Sequence, residues 1–543
     1  YRRQRQMCIR DSYQLIDGWN KGNIADEMLK WCEKFSDSAC VIYENNIITY
    51  SKIGELIKKT SVGLLNKGFK PKDKVVLQLP NNINFILCFF GLMKIGAIPI
   101  MALPAHRINE IKGMVNTAKA TGYICQNRYM GFEYSQIVNE LITDDKVKNI
   151  IQINDQELIV DNLDIEEKSI FPYIDNLDIA FLSLSGGTTG MSKLIPRTHG
   201  DYLYDTEMSV RRCHFQSNDI YLAILPLPHN FILGHPGFLG TFSRGGTLLL
   251  SQYPDINEGL ELIEKYKATF LSMVPSMAKL MLEMLKEDEY DISSLRVLQI
   301  GGAFLEESVA QELIDLKSFT LQQVFGVAEG LNTMTELSDQ EEIIRVFQGK
   351  PTSPYDEIKI VDENGNFLNN GESGELLIKG PYTIRSYYNN PENEKYFTKD
   401  GYYRTGDRAF LSKEGNLKIS GRVTELINKS GEKIIPSELE SYLNKMEDIR
   451  DCAVVGLPDE NQGEVIGVFV VADRKIELFE VREYLRKESV ASFKLPDYIF
   501  MVDTLPLTKI GKVDKKRLVE VGKEGLLNLS LIHISEPTRH LRI

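Results

Sequence analysis

Three segments of the sequence share one arrangement, a short apolar run that ends directly in a turn of small residues. They are DIAFLSLSGGTTG at 178–190, LRVLQIGGA at 295–303 and LQQVFGVAEG at 321–330. Buried strands that end in this way are typical of α/β folds, which hold ligands at the carboxyl ends of their parallel strands. We therefore expect the three turns to converge at one sheet edge and to form a binding site there.

The remaining patterns predict an α/β fold with one large and one small domain. Residues 50–69 have apolar positions at helical spacing, residues 73–80 read as a strand, and residues 85–103 read as a buried helix followed by a strand. Later in the chain, Asn-Gly and Glu-Gly turns separate short strands, which predicts antiparallel hairpins. We expect a large N-terminal domain of layered α/β sheets with a β-rich subdomain at 13–421, and a small α+β domain at 422–528.

The two ends of the chain have a separate interpretation. The segments MCIRDS at 7–12 and LSLIHISEPTR at 529–539 are both readable as translations of one transposon-type sequencing adapter, in opposite orientations. We therefore expect residues 1–12 and 529–543 to be non-native and to have no part in the fold.

Composition limits the class of protein. The chain has 43% hydrophobic and 26% charged residues, as ordinary globular proteins do, and its net charge of −13 argues against a general nucleic-acid-binding protein. No apolar run approaches the roughly 20 residues that cross a bilayer. The seven cysteines are scattered without a CxxC pair, which favours a reduced, cytoplasmic setting and argues against structural zinc.

The turn at 186–190 has the chemistry of an anion-binding loop. Its spacing differs from that of the Walker A motif, but its glycines allow successive backbone N–H groups to point at one phosphate. Hydroxyl groups and a lysine would add donors and positive charge. The alternative is a plain flexible turn. The residues predicted to bind phosphate are Ser185, Gly186, Gly187, Thr188, Thr189 and Lys193.

Five ordered motifs then carry a resemblance to a known family. They are the glycine loop with its continuation KLIPRTH, VFGVAEG at 324–330, YYRTGD at 402–407, GRVTELINKSGEKI at 421–434 and LPLTKIGKVDKK at 505–516. Together they resemble the adenylate-forming superfamily of acyl- and aryl-CoA synthetases, luciferases and adenylation domains. Within it the chain is most similar to the stand-alone 2,3-dihydroxybenzoate–AMP ligases of siderophore and nonribosomal peptide synthesis, through LPLPHNF, PGFLG and FKLPD as well.

The resemblance implies an ATP- and Mg²⁺-dependent reaction in two halves. A carboxylate attacks the α-phosphorus of ATP to give an acyl-adenylate and pyrophosphate, and a thiol then attacks the acyl carbon and releases AMP. The small domain of the family is mobile and alternates between two orientations, one for each half. An intact set of motifs argues against the alternative of a non-catalytic homologue that serves as an interaction partner.

The resemblance also implies roles for single residues. Lys512 would bridge the reacting carboxylate and the α-phosphate, Lys433 would contact acyl or phosphate oxygens, and Glu329 would bind Mg²⁺. Asp407 and Arg422 would hold the ribose. A surface glutamate and a hairpin-turn aspartate are the structural alternatives for the two acidic residues. The adenine slot would be formed by Gly302, Ala303, Val324, Phe325, Gly326 and Ala328.

The resemblance also implies a flat binding slot for the aromatic acid, with one amide side chain in it. Asn230 would bind the hydroxyl beside the carboxylate, Phe231 would form a wall, and His229 would guard the thiol tunnel. A turn-forming asparagine is the alternative for Asn230. The full predicted set is His229, Asn230, Phe231, His235, Gly301 and Asn332.

Two of these positions depart from the dihydroxybenzoate pattern. His235 stands where that pattern has Ser, and salicylate enzymes have Cys; Asn332 replaces an aliphatic residue. Because a buried polar group without a partner costs about 1–3 kcal/mol, we expect the ligand or ordered water to satisfy both side chains. This favours 2,3-dihydroxybenzoate first, and next a hydroxypicolinate or a ring with a further polar substituent.

The second half-reaction needs an acceptor and a domain movement. The resemblance places the hinge at Thr424, where the family usually has Asp or Lys, and Gly431 in the thiol tunnel. A β-branched residue is stiffer, so we expect Thr424 to affect the rate of domain exchange. The expected acceptor is the phosphopantetheine thiol of an aryl carrier protein acting in trans, and the alternative is coenzyme A.

Overall fold

The computed structural model describes residues 15–19, 22–144, 146–155, 157–165, 170–185, 193–302, 305, 307–362, 364–422, 427–434, 436–506, 513 and 515–534. For residues 421, 422, 437, 441, 516 and 527–534 it describes the main chain only. The described residues separate into two compact units, the first ending at 422 and the second beginning at 427.

The first unit alternates helices and strands. Its strands are β1 (Ala39–Tyr43), β2 (Asn46–Thr49), β3 (Lys74–Gln78), β4 (Ile98–Met101), β5 (Gly122–Gln126), β6 (Arg128–Tyr129), β7 (Phe132–Glu133), β8 (Asn149–Ile153), β9 (Ile179–Leu184), β10 (Leu194–Thr198), β11 (Ile220–Ala223), β12 (Thr247–Leu250), β13 (Phe270–Met273), β14 (Val297–Ile300), β15 (Thr320–Val327), β16 (Leu331–Met334), β17 (Lys350–Pro351), β18 (Glu357–Val361), β19 (Gly374–Lys379), β20 (Tyr403–Leu411) and β21 (Leu417–Arg422). Its helices are Ile24–Lys34, Tyr50–Asn66, Ile83–Lys94, Ile108–Ala118, Ser135–Thr143, His199–Arg212, Asn230–Gly234, Gly237–Arg244, Ile256–Tyr266, Pro275–Glu287, Glu307–Asp315 and Glu341–Val346, with 3-10 turns at Ile159–Asn162 and Asn393–Lys395.

Two large sheets dominate this unit. One has the order β10-β9-β4-β3-β5-β8 and is parallel except for the edge strand β10. The other has the order β17-β16-β15-β14-β13-β11-β12-β1-β2 and is parallel from β15 to β1. The predicted α/β class is confirmed, and so are the helix at 50–69 and the strand at 73–80.

The expectation that three strand ends share one sheet edge is wrong for one of them. β14 and β15 are parallel neighbours in the nine-stranded sheet, but β9 lies in the six-stranded sheet between β4 and β10. The chain turns back after β9 and pairs as the antiparallel strand β10, which occupies the sheet edge. The three turns therefore follow strands that belong to two different sheets. The sequence could not predict this, because an apolar strand pattern does not indicate which sheet the strand joins.

A buried aromatic layer joins the two sheets. Helix Ile83–Lys94 is buried from Ile83 to Met93, as its apolar sequence predicts, and Asn82 caps it by accepting the Phe85 N–H. Phe89 contacts Phe181 of β9 at 5.9 Å between ring centroids and Phe238 of helix Gly237–Arg244 at 5.5 Å. These contacts connect β9 of the six-stranded sheet with helix Gly237–Arg244, which lies between β11 and β12 of the nine-stranded sheet in the chain.

The β-rich segment predicted after residue 350 forms a four-stranded antiparallel sheet. Its order is β18-β19-β20-β21, and each strand is joined to the next by hydrogen bonds. Asp407 lies in β20 and is paired in register with Arg422 of β21. This confirms the predicted hairpins, and it brings two predicted ribose-binding positions opposite each other.

The second unit is a small α+β fold with its own core. Its strands are β22 (Ile427–Lys429), β23 (Glu432–Ile434), β24 (Ile449–Asp459), β25 (Gly463–Ala472) and β26 (Tyr498–Met501), and its helices are Pro436–Leu443, Leu478–Lys487 and Lys515–Ile534, with a 3-10 turn at Ser492–Lys494. The long pair β24–β25 is antiparallel and β26 adds to β25 in parallel. Val454, Ile466 and Val468 on this pair form part of a core that also includes Leu439 and Leu485 of the helices.

In the part of the chain that the structure describes, none of the helices combines the length and the apolar character needed to span a bilayer.

The aromatic layer provides a stability test. Phe238 contacts four other phenylalanine rings, so Phe238→Ala should lower the free energy of unfolding by about 3–5 kcal/mol. Phe367, which is 66% exposed in the same unit, is the matched control, and Phe367→Ala should change stability by less than about 0.5 kcal/mol. Both tryptophans, Trp19 and Trp31, lie in this unit, so their fluorescence during urea unfolding reports on it alone. Equal losses in both variants would contradict the role of the layer.

Candidate active site

The base of the glycine loop is closed by a backbone hydrogen bond. The Ser185 N–H donates to the Lys193 carbonyl at 2.9 Å, where β9 ends and β10 is about to begin. The Ser185 hydroxyl is buried and makes no hydrogen bond with any other described residue. A buried hydroxyl of this kind costs free energy unless another group completes it, so it is suited to receive a ligand. The predicted phosphate-binding residues Gly186, Gly187, Thr188 and Thr189 lie outside the described residues.

Lys193 lies at this loop base against two aromatic rings. Its ammonium group is 3.9 Å from the Tyr396 ring centroid and 5.2 Å from that of Tyr387. Such contacts hold a cation without neutralising it. Positive charge is therefore retained next to the end of β9.

The carboxylate of Glu329 is buried and held by a tyrosine pair. The Tyr387 hydroxyl donates to Glu329 Oε1 at 2.7 Å and lies 2.8 Å from the Tyr403 hydroxyl. Burial, and then the neighbouring Glu329 carboxylate, raises the pKa of Tyr387 far above its ordinary value, so the phenol keeps its proton and remains a donor. The sequence did not reveal this pair, because Tyr387 lies 58 residues from Glu329 and belongs to none of the five motifs.

Asp407 is also buried, and β20 fixes its backbone. Its N–H donates to the Thr405 hydroxyl at 3.0 Å, and its side chain is 3% exposed. The side chain of Arg422 lies outside the described residues, so only the pairing of its backbone with Asp407 is observed. Tyr403, on the same strand, connects this region to Glu329 through Tyr387.

The turn after β14 leaves room for close approach. Gly302 has φ +84°, a conformation that favours glycine, and a Cβ added at Gly301 would lie 2.9 Å from the Val324 carbonyl and 3.2 Å from Phe231 Cζ. Predicted nucleotide and acid positions are thus in direct contact here. Ala303 lies outside the described residues. Of the other predicted adenine positions, Val324, Phe325 and Gly326 lie on β15 and Ala328 follows it.

The short helix Asn230–Gly234 positions the predicted acid-binding residues. His229 caps it, with Nδ1 accepting from the Phe231 N–H at 3.3 Å. The Asn230 side-chain oxygen accepts from the Tyr202 hydroxyl at 3.0 Å, and the Phe231 side chain is buried against the Gly301 turn. The amide of Asn230 and the ring of Phe231 are therefore both held in place.

The expectation that a ligand or water satisfies His235 and Asn332 is wrong. Asp205 accepts from Asn332 Nδ2 at 2.6 Å and lies 3.1 Å from His235 Nε2. The remaining nitrogen of His235, Nδ1, lies 3.0 Å from the Asn230 carbonyl. The protein itself completes these hydrogen bonds, through a carboxylate that the sequence analysis did not single out. Asp205 lies one helical turn after the THGD segment at 198–201 and has no motif around it.

Asp205 belongs to a buried charged group that Arg197 anchors. The guanidinium donates to Asp201 at 3.0 Å, to Asp205 at 3.1 Å and to the Ala328 carbonyl at 3.1 Å. Burial alone would lower the pKa of Arg197, but the two carboxylates raise it above its ordinary value. Burial would raise the pKa of Asp205, but His235 and Arg197 hold it below its ordinary value. The guanidinium and this carboxylate are therefore both charged.

In the second unit, two predicted site residues, Gly431 and Lys433, lie on one β-hairpin. Lys433 lies on β23, and Ser430 and Gly431 form its turn from β22 with φ of +51° and +85°. Two successive residues with positive φ are typical of a tight hairpin turn. Lys512 and the predicted hinge residue Thr424 lie outside the described residues.

The buried guanidinium generates a prediction. Arg197→Met removes the buried guanidinium that pairs with both Asp201 and Asp205, so it should destabilise the first unit by about 3–5 kcal/mol. Arg211→Met is the matched control, because Arg211 also contacts two carboxylates but is 46% exposed, and it should cost about 0–1 kcal/mol. Urea unfolding followed by tryptophan fluorescence measures both. A loss below about 1 kcal/mol for Arg197→Met would contradict the buried pairing.

Comparison with known proteins agrees with this geometry. Residues 28–388 match the model of the AMP-binding enzyme family, and residues 438–512 match that of the AMP-binding enzyme C-terminal domain. The 2,3-dihydroxybenzoate-AMP ligase of Bacillus subtilis (strain 168) is 38% identical over 523 residues, covering 96% of this chain and 97% of that protein. The salicyl-AMP ligase / salicyl-S-ArCP synthetase of Mycobacterium tuberculosis is 37% identical over 479 residues, covering 87% of this chain and 85% of that protein.

A solved structure extends the similarity to three dimensions. The apo structure of MbtA from Mycobacterium smegmatis has a TM-score of 0.71 at 34% sequence identity, covering 94% of this chain and 97% of that chain. The family predicted from the five motifs is thereby confirmed. The chain belongs to the AMP-binding enzyme family, the adenylate-forming superfamily.

Proposed function

We propose that this protein is an aryl-acid–AMP ligase, which activates an aromatic carboxylic acid with ATP and transfers the aryl group to a carrier-protein thiol. The observation that carries the proposal is the contact of the Phe231 ring with the Gly301 turn. It places an aromatic wall and the adjacent Asn230 amide beside the turn predicted to receive the nucleotide. The aryl acids named in the relatives' activities, 2,3-dihydroxybenzoate and salicylate, support the same substrate class.

In the first half-reaction, one carboxylate oxygen of the acid attacks the α-phosphorus of ATP. The bond between that phosphorus and the bridging oxygen breaks, and pyrophosphate leaves. Ser185 and Lys193, together with residues 186–189, would hold the β- and γ-phosphates. Asp407, with Arg422, would bind the ribose hydroxyls. Lys512 would screen the charge that develops between the acid and the α-phosphate, and Lys433 would assist it.

The residues present also fit Mg²⁺. Magnesium sites in nucleotide enzymes combine one or two carboxylates with phosphate oxygens, and Glu329 offers a buried, oriented carboxylate near Lys193 through their shared neighbour Tyr387. When bound, the ion would neutralise phosphate charge. Tyr387 would then keep the carboxylate of Glu329 turned toward the phosphate side by occupying Oε1.

The preferred acid follows from which polar groups remain to be satisfied. His235 and Asn332 are already hydrogen-bonded to Asp205, so the acid needs no extra polar substituent to complete them. This weakens the earlier reason for a hydroxypicolinate and favours 2,3-dihydroxybenzoate or a similar hydroxybenzoate. Asn230 then supplies the amide that recognises a hydroxyl beside the carboxylate.

In the second half-reaction, a thiol sulfur attacks the acyl carbon, and AMP leaves with the oxygen of the former carboxylate. We propose that the thiol belongs to the phosphopantetheine of an aryl carrier protein, as in siderophore synthesis. Gly431 would line the path of the thiol, and Thr424 would act as the hinge. Coenzyme A is the alternative acceptor.

Pyrophosphate exchange with a panel of acids tests the proposed function. Exchange should be at least about tenfold faster with 2,3-dihydroxybenzoate or salicylate than with benzoate, because an extra hydrogen bond contributes about 1.5 kcal/mol. Loading of a purified aryl carrier protein, compared with loading of coenzyme A, then identifies the acceptor. Exchange that is no faster with either hydroxybenzoate than with benzoate would contradict the aryl-acid assignment.

The Ser185 hydroxyl, which has no hydrogen-bond partner among the residues that the structure describes, gives a residue-level prediction. Ser185→Ala should raise the KM for ATP about tenfold, because a hydrogen bond to a charged phosphate is worth about 1.5–3 kcal/mol. Ser183→Ala is the matched control: the Ser183 hydroxyl is also buried and makes no hydrogen bond with a described residue, but it lies within β9. Its KM for ATP should stay within about twofold of the parent. Equal effects of the two substitutions would show that the end of β9 does not contact the nucleotide.

A further inference from the structure

A buried polar cluster lies beside the proposed acid site. We call Arg197, Asp201, Asp205, His235 and Asn332 the Asp205 cluster, because Asp205 contacts three of the other four. Asp205 and His235 are each 1% exposed, and Arg197 is fully buried. The Asp201 side chain, at the edge of the cluster, is 12% exposed. Groups as buried as Arg197, Asp205 and His235 must satisfy their hydrogen bonds and balance their charges largely within the protein.

The hydrogen bonds of His235 fix its protons. Nε2 lies 3.1 Å from a carboxylate oxygen of Asp205, and Nδ1 lies 3.0 Å from the Asn230 carbonyl. Both partners are acceptors: a carbonyl cannot donate, and Asp205 is ionised because it also accepts from Arg197 and Asn332. A neutral imidazole has one N–H and can satisfy one of them. Both contacts are hydrogen bonds only when His235 carries a proton on each nitrogen.

Charge balance leads to the same protonation state. Two carboxylates, Asp201 and Asp205, face the single guanidinium of Arg197, which leaves one negative charge in excess. An imidazolium at His235 brings the cluster to neutrality.

The groups packed around the cluster do not alter this count. Tyr202 packs against Arg197 and His235, and burial raises its pKa, so it stays neutral. Tyr382 accepts from the Asn332 N–H and donates to Asp356, whose pKa burial raises well above its ordinary value. The two tyrosines and Asp356 are therefore neutral, and they leave the excess negative charge of the cluster unchanged.

The His235 proton acts directly on the acid site. The carbonyl that it holds belongs to Asn230, whose side-chain oxygen accepts from Tyr202. The next residue, Phe231, packs against the Gly301 turn. Loss of the Nδ1 proton would leave the Asn230 carbonyl facing a lone pair, and the short helix that begins there would lose one of its fixed points.

We propose that Asp205 is a positioning residue that keeps His235 as an imidazolium, and that this ion pair holds Asn230 and Phe231 in the geometry that recognises the aromatic acid. The inference rests on the proposed function and deepens it, since it assigns selectivity for the acid to a buried charge pair that supports Asn230 and Phe231. Asp205 thereby affects binding of the acid and leaves binding of ATP unchanged.

Asp205→Asn tests this proposal. The substitution keeps the shape of the side chain and removes the carboxylate that pairs with His235, so the support of Asn230 and Phe231 should weaken. The KM for the aryl acid should rise about tenfold, while kcat and the KM for ATP stay within about twofold. Glu207→Gln removes the same charge two residues later on the same helix, where Glu207 pairs with Arg211 and Arg244, and should change none of these values.

A second measurement needs no folded variant at Asp205. In the unsubstituted protein labelled with ¹⁵N-histidine, the ring nitrogens of His235 should show the chemical shifts of an imidazolium at pH 7. Sequential backbone assignment, or loss of the signal in His235→Gln, identifies the resonance. A ring with one protonated and one bare nitrogen would overturn the proposal, and so would a folded Asp205→Asn protein with an unchanged KM for the acid. If no aryl acid supports exchange, the proposed function fails, while the NMR result still decides the state of His235.

Discussion

The buried guanidinium of Arg197 connects the parts of the first unit on which the site depends. It extends from β10, in the six-stranded sheet, and binds two carboxylates on helix His199–Arg212. It also donates to the Ala328 carbonyl, in the turn after β15 of the nine-stranded sheet. Because Glu329 follows directly, this side chain connects β10, which begins after the glycine loop, with the turn that carries this acidic residue.

An ionic connection sets geometry in a way that apolar packing does not. The phenylalanines between the two layers supply burial, but apolar surfaces tolerate small displacements at little cost. A planar guanidinium with three acceptors in fixed directions has one favourable arrangement. Desolvation of such a group is expensive, and three hydrogen bonds, two of them to carboxylates, offset that cost in part. The guanidinium therefore restrains the position of β10, in one sheet, relative to the turn after β15, in the other.

The polar residues next to the proposed acid site illustrate the same constraint. From the sequence, His235 and Asn332 were expected to form hydrogen bonds with a ligand or water. In the structure both side chains form them with Asp205. Near the predicted phosphate-binding residues, Tyr387 and Tyr403 support Glu329 in a comparable way. In both places a buried carboxylate is held by neutral or cationic donors. The groups that we propose contact the reactants, such as the Asn230 amide and the Ser185 hydroxyl, therefore lie next to side chains whose hydrogen bonds are already made within the protein.

The sequence alone determined the fold class, the hairpins after residue 350 and the family, because these follow from local periodicity, turn residues and ordered motifs. It also identified Glu329 and Asp407, since each lies within such a motif. It did not determine that β9 and β14 belong to different sheets, because apolar strands pair through backbone groups that every residue shares. Nor did it reveal Asp205 or Tyr387 as supporting residues. Only the tertiary structure decides which distant side chains share a buried space, and in that space the cost of an unpaired charge selects their partners.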